Sequence, residues 1–146
     1  VSGETTVRLA AATTTDASSL PLPHEPVAPD QVVAGSPTTG HAVLDEIAGD
    51  ASAGDASVGD ASVGEAIAGE AASGRTVGVW EMSVGAMRDV EADEIFVVLA
   101  GDATVAFEQP ALDPIELRPG SVVRLTAGMQ TTWTVRETLR KIYIAP

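Results

Sequence analysis

The residues of this chain that could do chemistry are few. Glu94 stands at the head of Glu94-Ile-Phe-Val-Val-Leu-Ala-Gly101, with Asp89, Glu91 and Asp93 just before it. Lys141 is the sole lysine, and the two histidines, His24 and His41, sit far away in the N-terminal half. On a strand Glu94 shares a face with Phe96 and Val98, Thr131 with Trp133 and Val135, and Trp80 with Met82. An inward Glu94, desolvated and raised in pKa, is a candidate general acid or base, with Lys141 as its companion. The alternative is structural, an inward ion pair with Arg88 or Lys141, and it is favoured because ion-pair networks also perturb pKa values. Other chemistries fall away. No cysteine is present, which excludes disulfides, zinc-thiolate sites and thiol nucleophiles. No Ser/His/Asp arrangement or Gly-rich phosphate loop can be assembled.

Those residues must be carried by short strands. After Arg75, strand-like runs at Val77–Val84, Glu94–Leu99, Ala103–Glu108, Ile115–Leu117, Ser121–Leu125, Thr131–Val135 and Leu139–Ile144 are punctuated by Gly85, Gly101-Asp102, Gln109-Pro110, Pro119-Gly120 and Ala127-Gly128. This texture predicts an all-β sandwich or barrel with little helix. Gly101 and Gly120 are expected in tight turns. From Val1 to Gly40 closely spaced prolines predict an extended, polyproline-like arm, with short strands at Thr5 to Leu9 and Gln31 to Ala34. Ala42 to Ile47 fits either a strand or a helical turn.

Between arm and strands lies a five-residue tandem repeat, from Gly49-Asp-Ala-Ser-Ala to Gly69-Glu-Ala-Ala-Ser. Each unit offers only Ala and at most one Val or Ile, so stacking would bury almost nothing. Asp50, Asp55, Asp60, Glu65 and Glu70 would repel one another in register. An acidic low-complexity loop is the expectation, without the ligand spacing of a calcium loop. The organisation expected is one domain of 146 residues: an arm over 1–48, the repeat over 49–74 and a barrel core over 75–146.

Eight Lys plus Arg against 21 Asp plus Glu give a net charge of −13, which repels phosphate backbones and anionic headgroups. Neither nucleic acid nor a membrane is an expected partner. The longest apolar run, Ile95 to Ala100, is too short to span a bilayer. A cytoplasmic location is expected.

Three segments sharpen the fold. Gly78-Val-Trp-Glu-Met-Ser-Val-Gly, Glu94 to Gly101, and Pro119-Gly120-Ser-Val-Val-Arg-Leu-Thr-Ala-Gly128 followed by Thr131 to Lys141 resemble the cupin superfamily. Within it they are similar to small bacterial cupins related to ureidoglycine aminohydrolase and to the ethanolamine-utilisation cupins. The resemblance covers about half the chain and implies a jelly-roll β-barrel and a homodimer. It also implies a lumen lined by Trp80, Met82, Arg88, Glu94, Phe96, Thr131, Trp133 and Tyr143, open to a small-molecule ligand. A metal cupin of this kind offers a glutamate, here Glu94, and three histidines. Motif spacing puts Met87 and Asp89, or Arg88 and Val90, at the paired histidine positions and Thr131 at the last. The expectation is therefore no metal and no other cofactor. A small-molecule-binding cupin, a metal-free hydrolase or isomerase using Glu94, and an assembly module with a filled lumen are the three functions left open.

Beyond alanines the repeat carries only Val58, Val63 and Ile67, too few and too spaced to supply a core. Deleting Gly49 to Ser73 should therefore leave the thermal midpoint within a few degrees of the parent chain, as measured by circular dichroism.

Overall fold

A computed structural model of the chain describes residues 9–47 and 74–146. The tandem repeat and nearly all of the strand expected at Thr5 to Leu9 lie outside the described residues, and Leu9 itself is not in a strand. Among the described residues there are nine strands and no helix. They are β1 (Glu25–Pro26), β2 (Val32–Ala34), β3 (Thr38–Ile47), β4 (Arg75–Met82), β5 (Gly85–Val90), β6 (Glu94–Gln109), β7 (Ala111–Leu117), β8 (Val122–Leu125) and β9 (Gln130–Ala145). All pairings are antiparallel, and the sheet curls into a jelly roll.

The organising strand is β9. Its first half pairs with β5 on one side and its second half with β4, while β6 runs along the other side of both. Alternation decides which side chains fill the interior. Phe96 and Val98 of β6, Trp133, Val135 and Leu139 of β9, and Met82 of β4 are at most 2% exposed. Their neighbours Ile95 and Ile144 are paired across the outer face and stay partly open. The period of two seen in the sequence is thus the inside–outside pattern of the sheet.

Two long strands replace four expected short ones. The Gly101-Asp102 break in β6 and the Arg136–Thr138 break in β9 are not turns but irregularities in continuous strands. Register shifts cluster at Val98/Ala100, Ala100/Asp102 and Asp102/Ala103, where β6 and β9 bend together. Bulges of this kind let one strand serve two parts of a curled sheet. Gly101 is therefore corrected from a turn to a bulge: its φ is +108°, and an added Cβ would collide with the Thr138 carbonyl oxygen. Gly120 does occupy the turn between β7 and β8, at φ +95°. β7 extends back to Ala111 through Pro114, which is tolerated because β7 pairs only with β6 and forms an edge.

The strand β5 was not anticipated. It opens on Gly85 at φ +145° and carries Arg88 and Asp89, so its composition looks like a turn. Pairing with β9 from Gly85↔Val135 to Val90↔Gln130 supplies what its composition does not. Ala42 to Ile47 resolves as strand within β3.

The arm reaches the outer face. Arg140 donates from Nη1 to the carbonyls of Ala17 and Leu20, both at 2.8 Å, and from Nε to Glu81 at 2.9 Å. His24, on the arm, bonds Thr38 and the other Glu81 oxygen, each at 2.7 Å. Burial alone would raise the Glu81 pKa, but the hydrogen bonds from Arg140 and His24 leave it below its ordinary value.

The two glycines give a contrast. Gly101→Ala should cost about 3 kcal/mol, since positive φ and a backbone collision act together. Gly120→Ala, with nothing within 4 Å of its added Cβ, should cost only about 1 kcal/mol of left-handed strain. Urea unfolding of the two variants measures the difference.

Candidate functional site

Glu94 opens β6 and points into the barrel. Lys141 lies on β9, flanked in the ladder by Trp80 of β4 and Val98 of β6, so its stem enters from the wall of the interior. The Lys141 ammonium donates to Glu94 Oε2 at 2.5 Å, with side-chain exposures of 6% and 16%. Three rings surround the same nitrogen: Phe96 at 4.2 Å from centroid, Trp80 and Trp133 each at 4.7 Å. The rings also pack on each other, with Trp133 5.6 Å from Trp80 and 5.7 Å from Phe96. A desolvated cation over a ring face gains up to about 2 kcal/mol, so the box offsets part of the cost of burying charge. Burial pushes the Lys141 pKa down, against the opposing pull of Glu94, Glu91 and Asp89.

A second polar centre lies towards β5. Glu91 is 8% exposed and accepts from the Thr131 hydroxyl at 2.6 Å and from the Trp133 indole Nε1 at 2.9 Å, both on the same carboxylate oxygen. The indole also contacts the Thr131 oxygen at 3.1 Å. Asp89 sits beside Thr131 in the ladder and receives the Val90 amide at 2.9 Å. Burial raises its pKa, and the charge of Glu91 raises it further. Among the described residues no buried side-chain nitrogen or oxygen lacks a partner.

The expected lining divides accordingly. Trp80, Glu94, Phe96, Trp133 and Lys141 come together in one cluster. Met82 is fully buried core. Tyr143 lies over Gly78, close enough that a Cβ there would meet its hydroxyl, and burial followed by the Glu94 charge raises its pKa. Thr131 is buried but bound to Glu91. Arg88 is the misplaced member: on β5 its neighbours Met87 and Asp89 take the inward parity, so Arg88 is exposed and does not reach Glu94. Of the two alternative imidazole pairs, Met87 and Asp89 therefore hold the inward positions. The sequence marks Glu91 only as an acid near Glu94. Continuing the alternation Met87, Asp89, Glu91 would have turned it inward, though nothing local marks it as buried.

A transition-metal centre does not fit these residues. Met87 is buried in the apolar core, Thr131 donates to Glu91, and Glu94 is bound to an ammonium. His24 is held by Thr38 and Glu81 on the opposite face, and His41 is exposed. Among the described residues no three His, Cys, Asp or Glu side chains are placed to share an ion.

Outside the packed centre, a cleft of about 200 Å³ opens at the β5 end of the barrel. Asp30, Gln31, Arg88, Asp89, Val90, Glu108, Gln130 and Thr131 line it.

A strand-built barrel with these motif positions defines a cupin. The sequence model for the EutQ-like cupin domain matches residues 69–143, and the chain belongs to that family. Among solved structures, a Pseudomonas syringae pv. tomato protein of unknown function from the DUF861 family superposes over 88% of this chain and 45% of its own, with TM-score 0.59 and 18% identity. The Clostridium difficile EutQ protein matches 48% of this chain and 54% of its own, with TM-score 0.43 and 20% identity. A DUF861 protein from Thermotoga maritima matches 44% and 73%, with TM-score 0.41 and 26% identity. The chain thus spans about half the length of the first two. No curated protein matches its sequence. Among the described residues no helix is long and apolar enough to cross a membrane.

The raised Asp89 pKa has a signed consequence. Its folded value lies above the unfolded 3.8, so its favourable contribution is full below pH 3.8 and is lost as pH rises through the folded value. Asp89→Asn should therefore raise the thermal midpoint at pH 7 by a few degrees. That gain should shrink as the buffer is lowered towards pH 4, in paired thermal melts.

Proposed function

We propose that this cupin domain binds a small polar molecule at the β5 end of the barrel, without a metal and without using the centre of the lumen. The observation that carries the proposal is the contrast between a packed interior and an open cleft. Trp133 and Phe96 are at most 2% exposed and are packed around an ion pair, which leaves no room for a ligand there. In the cleft, Arg88 is exposed, and no hydrogen bond or ion pair engages its guanidinium among the described residues. Asp30, Asp89 and Glu108 line the same space.

A guanidinium pairs well with a carboxylate, often through two parallel bonds, and the acidic side chains suit an amine. The ligand class this favours is a zwitterion the size of a small amino acid. Pockets that enclose drug-sized ligands run from roughly 300 to 1,000 Å³, so the cleft takes a smaller molecule. The alternative of a hydrolase or isomerase resembling ureidoglycine aminohydrolase gains nothing here, because Glu94 is committed to Lys141. The other alternative, an assembly module, is favoured by the filled interior.

A thermal-shift and calorimetric panel of small amino carboxylates tests the proposal. One class should raise the midpoint of the parent chain. Arg88→Ala should keep its own stability within about 0.5 kcal/mol, as exposed substitutions do, and lose that shift. If the parent binds nothing in the panel, or Arg88→Ala binds as well as the parent, the cleft is not a binding site and the assembly role stands.

A further inference from the structure

We propose that the ε-ammonium of Lys141 is the resident cation of this barrel, taking the carboxylate that a metal cupin gives to its ion, in a pocket shaped for an alkylammonium group. The proposal is independent of the cleft, since it concerns the packed centre.

Three observations on the described residues support it. The first is charge. Glu94 is largely enclosed, and Glu91 and Asp89 are near enough to act on the same ammonium, so the interior holds several carboxyl groups and needs a positive partner. Lys141 supplies it, in a chain whose other basic side chains are seven arginines. The second is the shape of the surroundings. A first-row metal takes several aimed nitrogen or oxygen donors. Here one carboxylate oxygen at 2.5 Å is joined by three ring systems at 4.2–4.7 Å. Ring faces attract an organic cation through their negative quadrupole. The third is the tether. Trp80 and Val98 flank Lys141 in the ladder, so the ammonium is delivered from the wall by a fixed register and needs no exchange with solvent.

This makes the site one that recognises a primary alkylammonium, with the protein's own side chain as the occupant. Lys141→Ala removes three methylenes and the ammonium, the outline of n-propylammonium. The variant should melt about 10 °C lower, because Glu94 is left buried and unpaired. n-Propylammonium chloride at tens of millimolar should restore part of that loss, while equal 1-propanol, zinc or manganese should not. Rescue by zinc or manganese, or by 1-propanol as well as by the amine, would overturn the proposal.

Should Lys141→Ala fail to fold, the full-length parent decides. Labelling with ¹³C,¹⁵N-lysine reports a single residue in this chain. Its ε-methylene protons should be displaced strongly upfield by the three rings and remain there after zinc is added or a chelator is present. Resonances at the position of a solvated lysine, or their displacement by one equivalent of zinc, would equally overturn it.

Discussion

The ion pair between Lys141 and Glu94 is the constraint around which the rest of the molecule is arranged. Burying a charge is costly, and it is sustained here by a short carboxylate contact and three ring faces. Its neighbour in sequence, Arg140, makes the constraint stricter. Consecutive residues of a strand face opposite ways, so Arg140 emerges on the outer face and meets Glu81, while Lys141 enters the interior and meets Glu94. A slip of one residue in β9 would strand both cations away from both carboxylates and turn Trp133 and Leu139 outwards. The register of the central strand is thus held by electrostatics on two faces as well as by apolar burial.

The two faces have different work. Inside, rings and aliphatic side chains close around one ammonium, and Glu91 gathers the hydroxyl of Thr131 and the indole of Trp133. Outside, Arg140 and His24 tie the arm to the β4–β9 surface through backbone carbonyls and Glu81. Among the described residues a cleft lies at the end of the barrel beside β5, with Arg88, Asp89 and Glu108 in its wall.

Much of this was legible in the sequence, for reasons that are local. Glu94, Phe96 and Val98, and Thr131, Trp133 and Val135, alternate cleanly, and a period of two survives in any sheet that buries one face. The sequence does not choose between Arg88 and Lys141 as the partner of Glu94, because the choice needs the cross-strand register and no single strand contains it. The pairing of β5 with β9 places Arg88 on the outer face. Bulges were the other blind spot. Gly101-Asp102 has the composition of a turn, and only the pairing of β6 with β9, continuous but shifted in register there, shows that the glycine sits within a bending strand. Glu91 was missed as a buried acid because its partners, Thr131 and Trp133, are some forty residues away in the chain.

The placement of β9 has a kinetic consequence. It is the common neighbour of β4, β5 and β6, yet it follows all three in chain order. As the polypeptide emerges from the ribosome, β6 can pair with β7 and β8 by local hairpin-like contacts, but β4 and β5 lack their shared partner until residues 130–145 are made. Until then β4, β5 and β6 each keep one unpaired edge, the kind of surface that neighbouring nascent chains can pair with. β9 then supplies the neighbour that β4, β5 and β6 share and carries Lys141 into the interior.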